Sequence, residues 1–234
     1  MVQYDKNKIF TSIITSRTRE TFEVDDTLIQ LGQQLGMRPQ ILKGLYKALR
    51  KLEDIYEYVP SFGATFTCHF DYENQEAQIH YNQLDQLFSI TDLQDFMGIV
   101  DSVYSPIYPL GSVVELDLEL LPEELQKSLA EGPGPLVTIS GRKMPLQEGF
   151  DDYVVDYLAR IWPLGEMPGM DAFFVSNMMI ERLRFEGYSD DWESQFTEDV
   201  LRATQLSQQQ VSTAFMRSED FVRYYEPYLN TEEG

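Results

Sequence analysis

The apolar positions of this chain change their period at Pro60. Before it, Ile41, Leu42, Leu45, Tyr46, Leu49, Leu52 and Ile55 recur three or four residues apart behind Pro39, which predicts one helix from Pro39 to Ile55. After it, Phe62, Phe66, Cys68, Phe70 and Tyr72 alternate with Thr65, Thr67, His69 and Asp71, and Ala77, Ile79 and Tyr81 resume the alternation. Two such runs around Asn74-Gln75 predict a hairpin with Cys68 opposite Tyr81 and Phe70 opposite Ile79, all apolar side chains on one face. A chain with both periods must lay helices on a sheet. The fold class expected is therefore α+β: N-terminal helices and a hairpin, then a small mixed or antiparallel sheet with C-terminal helices.

The flanking segments fill in that plan. Ile9 to Val24, rich in Thr, Ile and Phe, reads as one or two short strands. Asp25 or Asp26 caps a helix through Leu28, Leu31 and Leu35 to Gly36, and Thr91 caps another through Leu93, Phe96, Met97 and Val100. Pro106 and Pro109 divide a helix-hairpin-helix region, residues 1–104, from a sheet region, 105–234, unless one continuous domain spans both. Strands are expected at Ser112–Leu118, Leu136–Ser140, Asp152–Trp162 and Ile180–Tyr188, with a short helix at Pro122–Ala130 stopped by Gly132-Pro133-Gly134-Pro135. Gly141-Arg142-Lys143 is read as ending the second strand. A helix from Asp191 to Thr204 is expected to pack Trp192, Phe196, Val200 and Leu201. Leu206–Met216 and Phe221–Leu229 supply the terminal helices.

Charge narrows the partners. Eighteen Lys and Arg against 39 Asp and Glu leave −21, a field that repels nucleic-acid phosphates and anionic lipid and suits a basic protein. Two His and one Cys are too few for a His/Cys zinc site or a disulfide framework. The N-terminus has no signal-like apolar run, and no stretch reaches the length of a membrane span; the expectation is a cytoplasmic chain.

The candidate chemical groups are few. Cys68, between Phe66 and Phe70, reads as a buried thiol. In the expected register His69 faces His80, and with Asp71 they make at most a weak metal site. Arg142 is expected to meet a carboxylate, Asp152 or Asp156. Neither Gly111-Ser112 nor the Gly-Pro repeat has the glycine spacing and free amides of a phosphate loop. Glu115, Asp117 and Glu119 alternate with Val114, Leu116 and Leu118, so they form either a solvated strand face or an acidic docking edge. In Glu186–Glu193, Asp190 is a helix cap; Tyr188, Asp190 and Asp191 otherwise suit an aromatic anchor with acids that steer a basic surface. No residue is assigned a catalytic, cofactor-binding or metal-ligating role.

Tyr108-Pro109-Leu110-Gly111-Ser112-Val113-Val114-Glu115-Leu116 and Val137-Thr138-Ile139-Ser140-Gly141-Arg142 carry a further signal. Asp152-Tyr153-Val154, Asp156-Tyr157, Trp162-Pro163-Leu164-Gly165, Phe173-Phe174 and Ile180-Glu181 leading to Phe185-Glu186-Gly187-Tyr188 follow in order. Over residues 107–201 this series resembles a small Gram-positive domain family encoded beside LXG polymorphic toxins of the type VII secretion system. The chain departs from it by inserting Glu119–Pro135 and by its long N-terminal region. The resemblance implies a non-catalytic export chaperone or accessory factor, with a secreted toxin or its targeting factors as partner. A cytoplasmic immunity protein is the alternative, and an enzyme of unknown reaction the remote one. Nucleic acid, membrane and cofactors are not expected; the oligomeric state stays open.

Overall fold

A computed structural model describes residues 4–17, 22–130 and 134–229. Three helices open the chain: α1 (Lys6–Ser16), α2 (Asp26–Gly36) and α3 (Pro39–Arg50). Helix α1 corrects the strand reading of Ile9–Val24, of which residues 18–21 lie outside the described residues. Asp5 caps its first turn, accepting from the Lys8 amide at 3.2 Å, and Phe10 and Ile14, one turn apart, are both buried. Thr11 and Thr15 donate back to the Asn7 and Thr11 carbonyls, which lets β-branched residues sit in a helix. Asp25 caps α2 as expected, accepting from Leu28 N at 2.8 Å.

Helix α3 ends five residues before Ile55. Leu52 turns left-handed at φ 55° and the Glu53 amide reaches back to the Ala48 carbonyl at 3.0 Å, a turn that closes the helix without glycine. Ile55 instead starts β1 (Ile55–Tyr58), which joins β2 (Phe66–Asp71), β3 (Glu76–Tyr81) and β4 (Leu84–Ser89) in a four-stranded antiparallel sheet, order β1-β2-β3-β4. The hairpin register is shifted by two: Cys68 faces Ile79 and Phe66 faces Tyr81. The cause is a wider turn. Asp71 accepts from the Asn74 amide at 3.0 Å and Gln75 takes φ 57°, so four residues rather than two make the reversal. A shift of two preserves the faces, and Phe66, Cys68, Phe70, Ala77, Ile79 and Tyr81 are all buried. Phe62 lies before β2 and is exposed.

Helix α4 (Ile90–Tyr104) follows directly, capped by Ser89 rather than Thr91. It buries ten of its 15 residues, more than one face, because it is covered from both sides. The N-terminal helices and first sheet lie against it, and so does the C-terminal segment, where a Cβ at Gly98 would stand 3.1 Å from Val211 and Phe215 Cβ atoms. One apolar cluster accordingly runs from Phe10 and Leu45 through Phe96 and Val100 to Tyr153, Val211 and Phe215.

The second sheet contains β5 (Val113–Leu116), β6 (Leu136–Pro145), β7 (Tyr153–Ile161), β8 (Phe173–Val175), β9 (Ile180–Phe185) and β10 (Val211–Ser212), in the order β10-β7-β6-β5-β9 with β8 also on β7. Only β10–β7 is parallel, so the sheet is mixed. Strand β7 is buried on both faces, as a segment mostly apolar on both faces predicts. Strand β5 stops at Leu116 because Asp117 caps a tight turn over Leu118–Leu120. Strand β6 runs through Gly141-Arg142-Lys143 to Pro145, bulging at Ser140 and twisting at Lys143, φ 47°. Helix α5 (Glu123–Ala130) lies between β5 and β6; residues 131–133, which carry the first half of the Gly-Pro stop, lie outside the described residues.

The chain then forms one continuous helical run: α6 (Asp191–Gln195), a π-helical stretch over Phe196–Arg202, and α7 (Ala203–Ser207). The wider stretch carries Arg202 into the interior, where its guanidinium donates to the Ser102, Val103 and Ser105 carbonyls at 2.9–3.1 Å and pairs with Glu198. Those carbonyls are the unsatisfied end of α4. The expected helix Leu206–Met216 is replaced by β10 and a tight turn over Thr213–Phe215, and α8 (Ser218–Leu229) closes the described chain. Among the described residues, no helix is long and apolar enough to cross a membrane.

Candidate protein interface

The two acidic segments singled out in the sequence meet different surroundings. Lys43 and Lys47 on α3 and Lys51 at its C-cap recur every fourth residue, opposite the buried row of Ile41, Leu42, Leu45 and Leu49. That cationic row docks on the end of the second sheet. Lys43 donates to the Ile180 carbonyl, Lys47 binds Asp117 at 2.7 Å and Glu119 at 3.2 Å, and Lys51 binds Glu119. Glu115 is gripped by Arg182 at 2.7 Å and by Arg184 on β9. The Arg182 hydrogen bond, with help from Arg184, holds the Glu115 carboxyl below its ordinary range, and Lys51 and then Lys47 do the same for Glu119. Asp117 and Glu119 lie beyond the end of β5 rather than on its face, and all three acids are engaged by cations of the same chain.

The second segment stays open. Asp190 accepts from the Glu193 amide at 2.9 Å and so caps α6, as its spacing predicts. Trp192 is not a core residue: it is 80% exposed, and Tyr188 is 83% exposed. Phe196 and Val200 follow Trp192 at four-residue intervals and are also exposed, while Arg202, Gln205 and Leu206 take the buried side. The helix carries two stripes with apolar residues, and the one through Leu206 faces inward. That doubling was the available sequence signal for Phe196 and Val200. Arg142 explains the choice. It meets neither Asp152 nor Asp156; its guanidinium pairs with both oxygens of Glu193 and lies 5.9 Å from the Phe196 ring centre, pinning the helix with Glu193 inward. Trp192 is thereby turned outward. Among the described residues, no cation pairs with Glu186, Asp190 or Asp191.

The other candidates resolve quietly. Cys68 is buried and its thiol is pushed up to about 12 by burial, far from a reactive thiolate. His69 faces Gln78 rather than His80; the imidazole rings are 6.3 Å apart, and His80 Nδ1 lies 3.1 Å from Asp85. Among the described residues, no group of three or more His, Cys, Asp or Glu is placed to hold a metal ion.

Deeper in the molecule, Asp156 on β7 binds Lys143 at 2.7 Å, Ser212 at 2.6 Å and the Asn177 amide at 3.0 Å, tying β6, β10 and the turn after β8 to β7. Asp101 on α4 accepts from Ser105 at 2.5 Å, while its second oxygen is buried without a partner. Burial, and then the Asp156 charge, push the Asp101 carboxyl up to about 7.

Residues 107–196 match a family described as a domain of unknown function (DUF4176), from the lead-in to β5 as far as the start of the π-helical stretch. No curated protein and no solved structure matches the chain.

Proposed function

We propose that this protein acts by binding another protein, as a non-catalytic chaperone or accessory factor for a toxin secreted by the type VII system. The observation that carries the reading is the outward row Trp192, Phe196 and Val200, with Tyr188 beside it and around it acids that pair with no cation among the described residues. Exposed Trp and Tyr at a helix start are what an interface centre uses, since they bury large area at small conformational cost. Glu186, Asp190 and Asp191 supply a charged rim that favours a basic partner surface and raises its rate of encounter. The identity of that partner rests on the resemblance of residues 107–201 to domains encoded beside LXG toxins.

The test is co-purification of the chain with the products of neighbouring genes, followed by calorimetry against toxin fragments. A stable complex that is lost in Trp192→Ala supports the reading. Absence of binding to any of those products overturns it. A complex that silences the toxin yet is dispensable for its export replaces the chaperone by an immunity protein.

A further inference from the structure

Resting on the protein-binding reading above, we infer that the partner segment received at Trp192, Phe196 and Val200 is an α-helix with an apolar seam and cations along one flank of it. The first argument is the π-helical stretch. Four residues of α-helix overshoot a full turn by about 40°, whereas the wider π turn, closing from i to i+5, is not completed by four. The step from Trp192 to Phe196 leaves α6, and the step from Phe196 to Val200 lies inside the π stretch, so the two deviations oppose each other. The three side chains therefore stand nearly in line along the axis instead of winding round it, over about 12 Å at the α-helical rise. All three face water, at 80%, 45% and 46% exposure. A straight row matches the seam of a helix whose apolar residues alternate three and four apart, with the two helices lying nearly along each other. An extended strand has a similar repeat, but it would turn backbone N–H and C=O groups toward a face that offers side chains alone. A helix arrives with those bonds already made.

The second argument is the difference between the two flanks of the row. The residue before each member, Asp191, Gln195 and Asp199, is exposed. The residue after each, Glu193, Thr197 and Leu201, is half-buried, and Arg142 holds the first two. Asp199 accepts from the Tyr4 hydroxyl, and among the described residues no cation pairs with Asp191 or Asp199. A helix laid on the row therefore meets carboxylates on the one side open to it, and Asp190 at the start of α6 adds a third. Opposite charge along one flank of the partner is the complement, and it also fixes which way that helix runs. The row is held ready for it. The Arg142 guanidinium lies 5.9 Å from the Phe196 ring centre, and the Tyr188 hydroxyl donates to Asp190 at 3.4 Å, so both rings have little freedom left to lose on binding.

The probes are two designed peptides of about 14 residues and identical composition, built from Leu, Lys, Ala and Gln. One sets Leu in a three-four seam with Lys along one flank; the other alternates Leu with polar residues. Equal charge cancels the general attraction of a −21 chain for any cation. Each is titrated into the full chain carrying fluorine-labelled tryptophan, whose two residues report separately: Trp192 in the row, and Trp162 past the end of β7 as the internal control. The seam peptide is expected to move the Trp192 signal saturably at a Kd of about 100 μM or tighter, with Trp162 still and the alternating peptide at least about tenfold weaker. Phe196→Ala should weaken the seam peptide about tenfold. Asp191→Asn with Asp199→Asn should weaken it several-fold, and a seam peptide with Gln for every Lys should be indifferent to that change. Equal affinity for the two patterns, tighter binding of the alternating one, movement of Trp162 in place of Trp192, or no saturation by about 1 mM overturns the helical partner. Indifference of the Lys peptide to the double Asn variant overturns the charged flank. The peptides contain no toxin sequence, so the two readings fail separately. A chain that binds the toxin but fails here keeps its protein-binding role and loses the helix; one that passes here and binds no neighbouring product loses the toxin.

Discussion

Glu115–Glu119 and Glu186–Asp191 are equally acidic in the sequence, and the fold uses them in opposite ways. The first is a seam. Asp117 and Glu119 take Lys47 and Lys51 and fasten α3 to the second sheet, while Glu115 takes Arg182 and Arg184 within that sheet. In the second, no cation among the described residues pairs with the carboxylates, which stand beside exposed aromatic rings. In a chain with 18 cations for 39 acids, carboxylates far outnumber the cations available to pair them, so a bare acid by itself says little. What separates the two segments is the combination of bare acids with apolar side chains that the core declined. A cluster of acids is therefore a poor marker for an interface; the better marker is where the cations are not.

The largest expected effect falls on the open segment. Tyr188→Ala with Trp192→Ala should weaken partner binding by about 100-fold or more, the scale of an interface hot spot, and leave the thermal midpoint within a degree or so because both side chains are in water. If the double variant unfolds early instead, those rings are structural and the comparison collapses.

Next comes a third kind of acid, buried and incompletely paired. Asp101 has its ordinary value of 3.8 raised to about 7, burial first and Asp156 second, with Lys143, Arg202 and the Ser105 hydroxyl pulling the other way. A folded-state value above the unfolded one means that the folded chain holds the proton longer. The contribution is full below pH ~3.8 and lost as pH rises through ~7. Asp101→Asn should therefore raise stability at pH 8 by about 1–3 kcal/mol and leave it little changed at pH 4. Chemical denaturation of both proteins across that range reads the difference directly, free of the opposing trend from Glu115 and Glu119. A variant equally destabilised at both pH values would mean that the carboxylate works as an ion.

The seam should respond more modestly. Lys47→Met removes a half-buried pair with Asp117 but keeps the apolar stem, so the expected loss is about 1 kcal/mol of stability with partner affinity unchanged. Affinity falling with stability intact would place the seam, and not the aromatic row, at the interface.

How much of this was legible follows from the range of each interaction. The period change at Pro60, the cap at Asp25 and the buried run of β7 are local patterns, and they read correctly as α+β. The Thr- and Ile-rich α1 read as strand because β propensity is weak beside a cap and two core contacts at Phe10 and Ile14. Strands β1 and β4 escaped because their alternation is half exposed, and β6 passed through Gly141 by a bulge that no short motif announces. The site was less legible than the fold. Lys47 and Asp117 are 70 residues apart, and the orientation of Trp192 depends on Arg142 finding Glu193 across 51. Nothing local in Glu115–Glu119 differs from Glu186–Asp191 in a way that reports those pairings.

The smallest effect tests the electrostatic half of the comparison. Raising ionic strength from about 50 mM to about 500 mM shortens the screening length from roughly 14 Å to about 4 Å. The acids at 186, 190 and 191 reach solvent, so their attraction for an approaching basic surface should be screened first. The association rate is expected to fall several-fold while the dissociation rate, set by Tyr188 and Trp192 once seated, stays nearly constant. The Glu115 and Asp117 pairs are screened less, since those side chains are only 17% and 15% exposed, and the thermal midpoint should move little over the same range. Stopped-flow binding beside thermal denaturation at each salt concentration separates the two. An association rate indifferent to salt would remove the steering role from the open acids, leaving the aromatic row alone to define the interface.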